Sequence, residues 1–279
     1  MKKVDLSFEF FPPKTDAGVA KLAVERKKLL AAKPEFFSVT YGAGGSTRDR
    51  TFDVVMQSIQ DSGVDTAPHL SCVGENKARI GELLKQYRKA GIKRLVALRG
   101  DLPSGSGLSS GELNHAIDLV RFIRESEQDY FWIEVAAYPE MHPQAKHFDQ
   151  DFDYFKAKVA AGANSAITQY FYNADAYRFF MDRCQSAGIT IPVIPGIMPI
   201  TNYEKLARFS DMCGAEIPRW IVKRLEAYRN DEASIISFGA DVVAHLVEAV
   251  IKDGAPGIHF YTLNDAEPSL KICQRLNLI

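Results

Sequence analysis

Cysteine and histidine are scarce in this sequence, and neither occurs in the spacing a metal needs. Cys72, Cys184, Cys213 and Cys273 are far apart and form no Cys-x-x-Cys. Reduced, mostly buried thiols are their expected state. His142 and His147 lie five apart, and no His-Glu-x-x-His occurs, so no metal site is expected. No apolar run approaches the roughly 20 residues that span a bilayer. Met1-Lys2-Lys3-Val4-Asp5 has two lysines but no apolar stretch behind them, which argues against a signal peptide. With 34 basic and 35 acidic residues the net charge is only -1. That balance suits neither a nucleic-acid surface nor an anionic membrane. A cytoplasmic protein with no nucleic-acid and no membrane partner is expected.

What the chain does contain is a strand-helix alternation. Eight strand-like runs recur: Leu6–Phe11, Phe36–Tyr41, Thr66–Val73, Arg94–Arg99, Trp132–Tyr138, Ser165–Phe171, Ile191–Ile197 and Gly257–Leu263. Helical periodicity follows each, including Arg50–Ser62, Leu113–Ser126, Phe152–Ala161 and Tyr203–Cys213, with further helical sequence to about Lys252. Alternation of this kind implies a parallel sheet, and eight units in 279 residues fit an α/β fold of (β/α)8 TIM-barrel type, as a single domain over 1–279. The rival is a doubly wound sheet. Gly105, Gly107 and Gly111 are spaced G-x-G-x-x-x-G, one residue longer than the dinucleotide fingerprint and in the fourth unit instead of the first.

In a barrel the active site lies where strands end. Glu9, Thr40, His69, Arg99, Asp101, Tyr138, Gln169, His259 and Tyr261 all fall there. Side-chain alternation puts Ser7 with Glu9, Ser38 with Thr40 and Arg99 with Asp101 on shared faces. The opposite faces (Phe8 and Phe10, Phe37 and Val39, Val96 and Leu98) suit outer helices. Glu9 ends an apolar strand before Pro12 and Pro13, so poor solvation should raise its pKa toward that of a general acid. The bland alternative is a rim ion pair with a lysine or arginine. With acids, amides and aromatics but no evident Cys or Ser nucleophile, the mouth suits a cofactor that carries the chemistry.

Eight motifs then carry a resemblance. They include Ser7-Phe8-Glu9-Phe10-Phe11-Pro12-Pro13, Ala97-Leu98-Arg99-Gly100-Asp101-Leu102-Pro103, Ala136-Ala137-Tyr138-Pro139-Glu140-Met141-His142-Pro143 and His259-Phe260-Tyr261-Thr262-Leu263-Asn264. From end to end the chain resembles the bacterial methylenetetrahydrofolate reductases. The resemblance implies non-covalent FAD, reduced by NADH (or NADPH), which passes hydride to methylenetetrahydrofolate. It implies catalytic roles for Glu9, as the acid that opens the folate ring, and for Asp101, near flavin and pterin. FAD would rest on Thr40, Tyr41, Ala43, His69, Arg99, Gly100, Asp101, His115, Ala116, Tyr138, His142, Ala145, Asp151 and Lys158. Substrate would meet Glu9, Asp101, Gln169, Lys205 and Phe209. His115, Tyr154, Ala157, Lys205 and Asp265 depart from the family pattern; Lys205 is read as holding the folate tail, with Asp265 steadying it. A homo-oligomer is expected. A proline dehydrogenase-like flavin barrel, or a folate- or flavin-binding barrel without turnover, would need none of the Glu9 chemistry.

Overall fold

The computed structural model describes residues 4–41, 48–100, 111–229 and 231–279, the side chains of residues 48 and 49 excepted. Its strands are all parallel: β1 (Asp5–Phe10), β2 (Phe36–Val39), β3 (Asp65–Ser71), β4 (Arg94–Leu98), β5 (Trp132–Ala137), β6 (Ser165–Thr168), β7 (Val193–Ile194), β8 (Gly196–Ile197) and β9 (Gly257–Tyr261). The sheet order is β7-β6-β5-β4-β3-β2-β1-β9-β8.

The two short strands at the ends of that order are one stretch of chain. Pro195 alone separates them, and proline has no N–H to give a ladder. The stretch expected as one seventh strand, Ile191–Ile197, therefore pairs through Val193 and Ile194 with β6 and through Gly196 and Ile197 with β9. The sheet closes on itself at that kink, which makes a (β/α)8 barrel with its seventh strand broken.

Around it lie α1 (Asp16–Leu29), α2 (Arg48–Ser62), α3 (Lys77–Lys89), α4 (Ala116–Glu127), α5 (Phe148–Ala160), α6 (Ala174–Ser186), α7 (Tyr203–Cys213), α8 (Arg219–Tyr228), α9 (Glu232–Lys252) and α10 (Glu267–Arg275). Side-chain oxygens open several of them. Asn76 accepts from Arg79 N at 2.8 Å, Asn202 from Lys205 N at 2.9 Å and Asp231 from Ser234 N at 3.1 Å. Each such cap is worth about 1 kcal/mol. The helical sequence expected to run on from α7 is three helices, with Gly214 ending α7 at φ 75°. The α9 helix is longer and more apolar than the sequence reading allowed for, being of bilayer-spanning length by composition. Val242, Val243, Leu246, Val247 and Val250 are buried in the main core, and Asp241 pairs with Arg275. These contacts make it a core helix.

The main core lies between barrel and helices and includes Phe8, Phe10, Phe37 and Val39, as expected of their outward faces. Val96 and Leu98 depart from expectation. They pack inside the barrel with Phe36, Ala67 and Ile167, apart from the main core. Arg94 sets this register: its guanidinium turns inward to Glu134 at 2.7 Å, and a period of two then carries residues 96 and 98 inward.

The barrel floor is polar, and Arg94 holds most of it together, though its buried Nε has no hydrogen-bond partner among the described residues and lies 3.6 Å from Asp65 Oδ2. Arg94 also meets Glu35 at 2.7 Å and lies 4.2 Å from the Phe36 ring centroid. Glu134, wholly buried, accepts from Ser165 Oγ at 2.5 Å and from the Trp132 indole at 3.0 Å. Burial raises its carboxyl pKa despite the guanidinium.

Candidate active site

Glu9 ends β1 at the barrel mouth, its side chain 18% exposed. Its Oε2 lies 3.3 Å from Nε2 of His69, on β3, and 3.8 Å from Nε2 of His259, on β9. The other nitrogen of His259, Nδ1, is 2.8 Å from the Ser7 hydroxyl. Ser38 Oγ lies 3.5 Å from Nε2 of the same ring. Four strands thus converge on one carboxylate. Burial pushes the Glu9 pKa up, but the two neighbouring imidazoles, which favour the ionised carboxylate, outweigh it, and the value falls to about 2. The raised pKa expected from an apolar strand is therefore corrected. The partners are imidazoles, not the lysine or arginine of the bland alternative.

Tyr261, also on β9, donates its hydroxyl to Thr168 O at 2.7 Å. Burial raises its pKa well above the ordinary value, with the Glu9 charge adding to the effect. Thr262 Oγ1 donates to Glu9 O at 2.6 Å, and the Asn264 amide clamps both backbone groups of Phe11 at 2.9 Å. The end of β1 is thereby fixed to the end of β9, which holds Glu9 in place.

The loops beyond β4 and β5, with the helices α4 and α5 that follow them, carry most of the residues assigned to the dinucleotide. Arg99 lies past Leu98. Instead of pointing inward as expected, it reaches sideways to the Gln144 amide oxygen. Gly100 follows at φ 84°, where a Cβ would stand 1.9 Å from Ser71 Oγ. Both the backbone and the space require glycine there. Tyr138 packs edge-on against His142, with centroids 4.6 Å apart. Asp151, in the first turn of α5, accepts from His142 N at 2.9 Å, and Ala145 N donates to His142 O at 2.9 Å. Lys158 donates to Ala136 O at 2.6 Å. Burial lowers its pKa to about 8, against the pull of Asp151. Thr40, half-buried past β2, has its carbonyl held by Thr51 Oγ1 at 3.1 Å, and Tyr41 follows it, half-buried. His115 opens α4 next to Ala116; its ring is largely exposed and stacks at 6.4 Å on Tyr154. Ala43 and Asp101 lie outside the described residues.

On the substrate side, Gln169 follows β6 and accepts from Tyr170 N at 3.0 Å through its own amide oxygen. Phe209 is half-buried on α7 with Lys205 exposed one turn before it. The expected support of Lys205 by Asp265 is absent: no ion pair joins them, and Asp265 instead accepts from Glu267 N at 3.1 Å at the start of α10.

Two site members escaped the sequence reading in this role. Ser7 and His259 were legible as polar strand residues, but their junction through one imidazole brings together residues 252 positions apart.

A carboxylate between two imidazoles at the C-terminal mouth of a parallel barrel, with Arg99 in the loop after β4 and Lys158 on α5, defines a barrel enzyme built for proton transfer next to an anionic ligand. The family comparison narrows the class. The model of the methylenetetrahydrofolate reductase family matches residues 1–277. The chain is 41% identical to the 5,10-methylenetetrahydrofolate reductase of Salmonella typhimurium, covering 99% of this chain and 92% of that one. The Escherichia coli enzyme of the same name is 40% identical over the same shares. The chain is also 36% identical to methylenetetrahydrofolate reductase (NADH) 1 of Zea mays, of which it spans 48%. Among solved structures, an uncharacterized Clostridium thermocellum protein that binds two copies of 5-methyl-5,6,7,8-tetrahydrofolic acid superposes with a TM-score of 0.68. It shares 14% identity, covers 99% of this chain and 96% of its own, and speaks for the fold alone. The chain belongs to the methylenetetrahydrofolate reductase family.

Proposed function

We propose that this protein reduces 5,10-methylenetetrahydrofolate to 5-methyltetrahydrofolate, using a non-covalently bound FAD that NADH, or less readily NADPH, re-reduces. One catalytic domain over residues 1–279 carries out the reaction, as a cytoplasmic homo-oligomer. The observation that carries this reading is Glu9 set against His69 and His259 at the mouth of a chain 41% identical to a reductase of that name.

The donor set fits a flavin dinucleotide. Arg99 and Lys158 supply cations for a pyrophosphate, with Tyr138 and His142 beside them. A bound phosphate would hold Lys158 in its charged form against the burial that now lowers its pKa to about 8. When bound, the flavin supplies hydride transfer. Thr40, Tyr41, Ala43, His115, Ala116, Ala145 and Asp151 are assigned to the same ligand. Asp101 is assigned to both flavin and pterin, and Gln169, Lys205 and Phe209 to the folate and nicotinamide side.

The chain's own chemistry is proton handling. Opening the five-membered ring of the folate gives an iminium, a better hydride acceptor, and requires a proton on the departing nitrogen. With the mouth open to water, Glu9 is a carboxylate beside two imidazoles. A pterin seated on Glu9 excludes that water. Desolvation then disfavours the charged carboxylate, so Glu9 takes up a proton from water as the pterin seats, and the departing nitrogen receives that proton from it. The Ser7 hydroxyl, hydrogen-bonded to His259 Nδ1, holds that ring in place beside Glu9.

The test is direct. Purified protein should be yellow, bleach anaerobically with NADH and recover its colour on adding methylenetetrahydrofolate. Heat or acid should release all of the flavin. A chain that takes up no flavin contradicts the proposal.

A further inference from the structure

The turn after α7 is stitched to the loop after β5. Glu140, in that loop, accepts from Glu216 N through Oε2 at 2.8 Å. A Cβ on Gly214 would lie 3.3 Å from Pro143 Cδ, so the turn packs closely on the Pro143 ring. Nearby, the Tyr170 hydroxyl lies 3.1 Å from Ser210 Oγ and 3.3 Å from Cys213 Sγ, which ties the end of α7 to the residue after Gln169. A small cavity remains between these parts, lined by Tyr138, Glu140, Gln169, Tyr170 and Cys213 among others.

Glu140 is an odd choice for a simple turn anchor. A neutral amide could accept the same N–H, whereas a carboxylate there is partly desolvated and faces a second carboxylate. Burial and the charge of Glu216 push its pKa up to about 7, against the hydrogen bond from Glu216 N. The titratable groups facing it are Glu216, Tyr138, Tyr170 and Cys213, and among the described residues no cation lies within ion-pair distance of it. The loop it belongs to carries Tyr138 and His142, while α7 carries Lys205 and Phe209.

We propose that Glu140 is a positioning residue that locks α7, and with it Phe209, to the loop that holds the dinucleotide. This rests on the flavoenzyme reading of the mouth. Through that lock, one joint sets the cover for both substrates. Ionisation of Glu140 loosens the joint, because the site favours the neutral form. Closure should therefore be firmest below neutral pH.

Hydrogen exchange of residues 203–216 in the holoenzyme tests this, together with the two KM values. Glu140→Ala should speed exchange there by about tenfold and raise the KM for both NADH and folate several-fold, with kcat changed less. Glu140→Gln should restore slow exchange and both KM values, since its amide oxygen accepts the same N–H. After correction for intrinsic exchange, protection in the wild type should fall as pH rises from about 4.5 to 7 and level off above that, and in Glu140→Gln it should stay level throughout. Unchanged exchange in Glu140→Ala, or faster exchange with both KM values unmoved, overturns the proposal. So does a pH profile identical in wild type and Glu140→Gln, a comparison that stands even if the alanine variant does not fold. A wild type without flavin would instead refute the flavoenzyme reading, and the exchange profile would still report on the joint.

Discussion

Ser7 and Glu9, two residues apart on β1, are joined by one imidazole from β9: Ser7 Oγ is 2.8 Å from His259 Nδ1, and Glu9 Oε2 is 3.8 Å from His259 Nε2. His69 approaches the same carboxylate oxygen to 3.3 Å. Acid should therefore weaken the fold through Glu9. Its pKa in the folded chain, about 2, is below the ordinary 4.5. Its contribution is full above 4.5 and is lost as pH falls toward 2. Urea melts of wild type and Glu9→Gln should differ by about 3 kcal/mol near pH 6 and by roughly half of that near pH 3. A difference that does not change with pH would show that Glu9 gains nothing from the two rings.

The barrel floor should behave as a unit. Arg94→Met leaves the Glu134 carboxylate buried without its cation and should cost about 3–5 kcal/mol. Adding Glu134→Gln should recover part of that loss, since no charge is then stranded. Two costs that simply add in a double-mutant cycle would mean that Arg94 and Glu134 are not coupled.

Lys205 stands exposed one turn from Phe209, on the same helix face. If it holds the anionic folate tail, Lys205→Gln should raise the folate KM about tenfold, on the order of 1–1.5 kcal/mol. NADH oxidation with a quinone acceptor should not change. An unaltered folate KM at low salt, where a charge contact is least screened, would leave the tail without this partner.

Local pattern made the barrel legible, and the misreadings came from long-range contacts. Alternation along Leu6–Phe10 put Phe8 and Phe10 outward and Ser7 and Glu9 together, because period two depends on the strand alone. Val96 and Leu98 were misplaced because the inward pull on their strand is Arg94 meeting Glu134, forty residues away. Ile191–Ile197 was read as one strand despite Pro195, because nothing local shows that the flanks of that proline pair with β6 and β9. The Glu9 pKa was read with the wrong sign because its apolar neighbours in sequence suggested desolvation alone. The rings that reverse the shift come from β3 and β9. Glu140 was quoted only as part of a motif, since its partner is a backbone N–H at Glu216, which no residue type announces.

Stopped-flow measurement of the two half-reactions in Glu9→Gln tests the central claim most directly. Flavin reduction by NADH needs no acid and should stay within about tenfold of wild type, while folate reduction by the reduced enzyme should fall by ~10²–10⁴, as for a lost general acid. Equal impairment of both half-reactions would contradict the account and make Glu9 a structural residue of the barrel mouth.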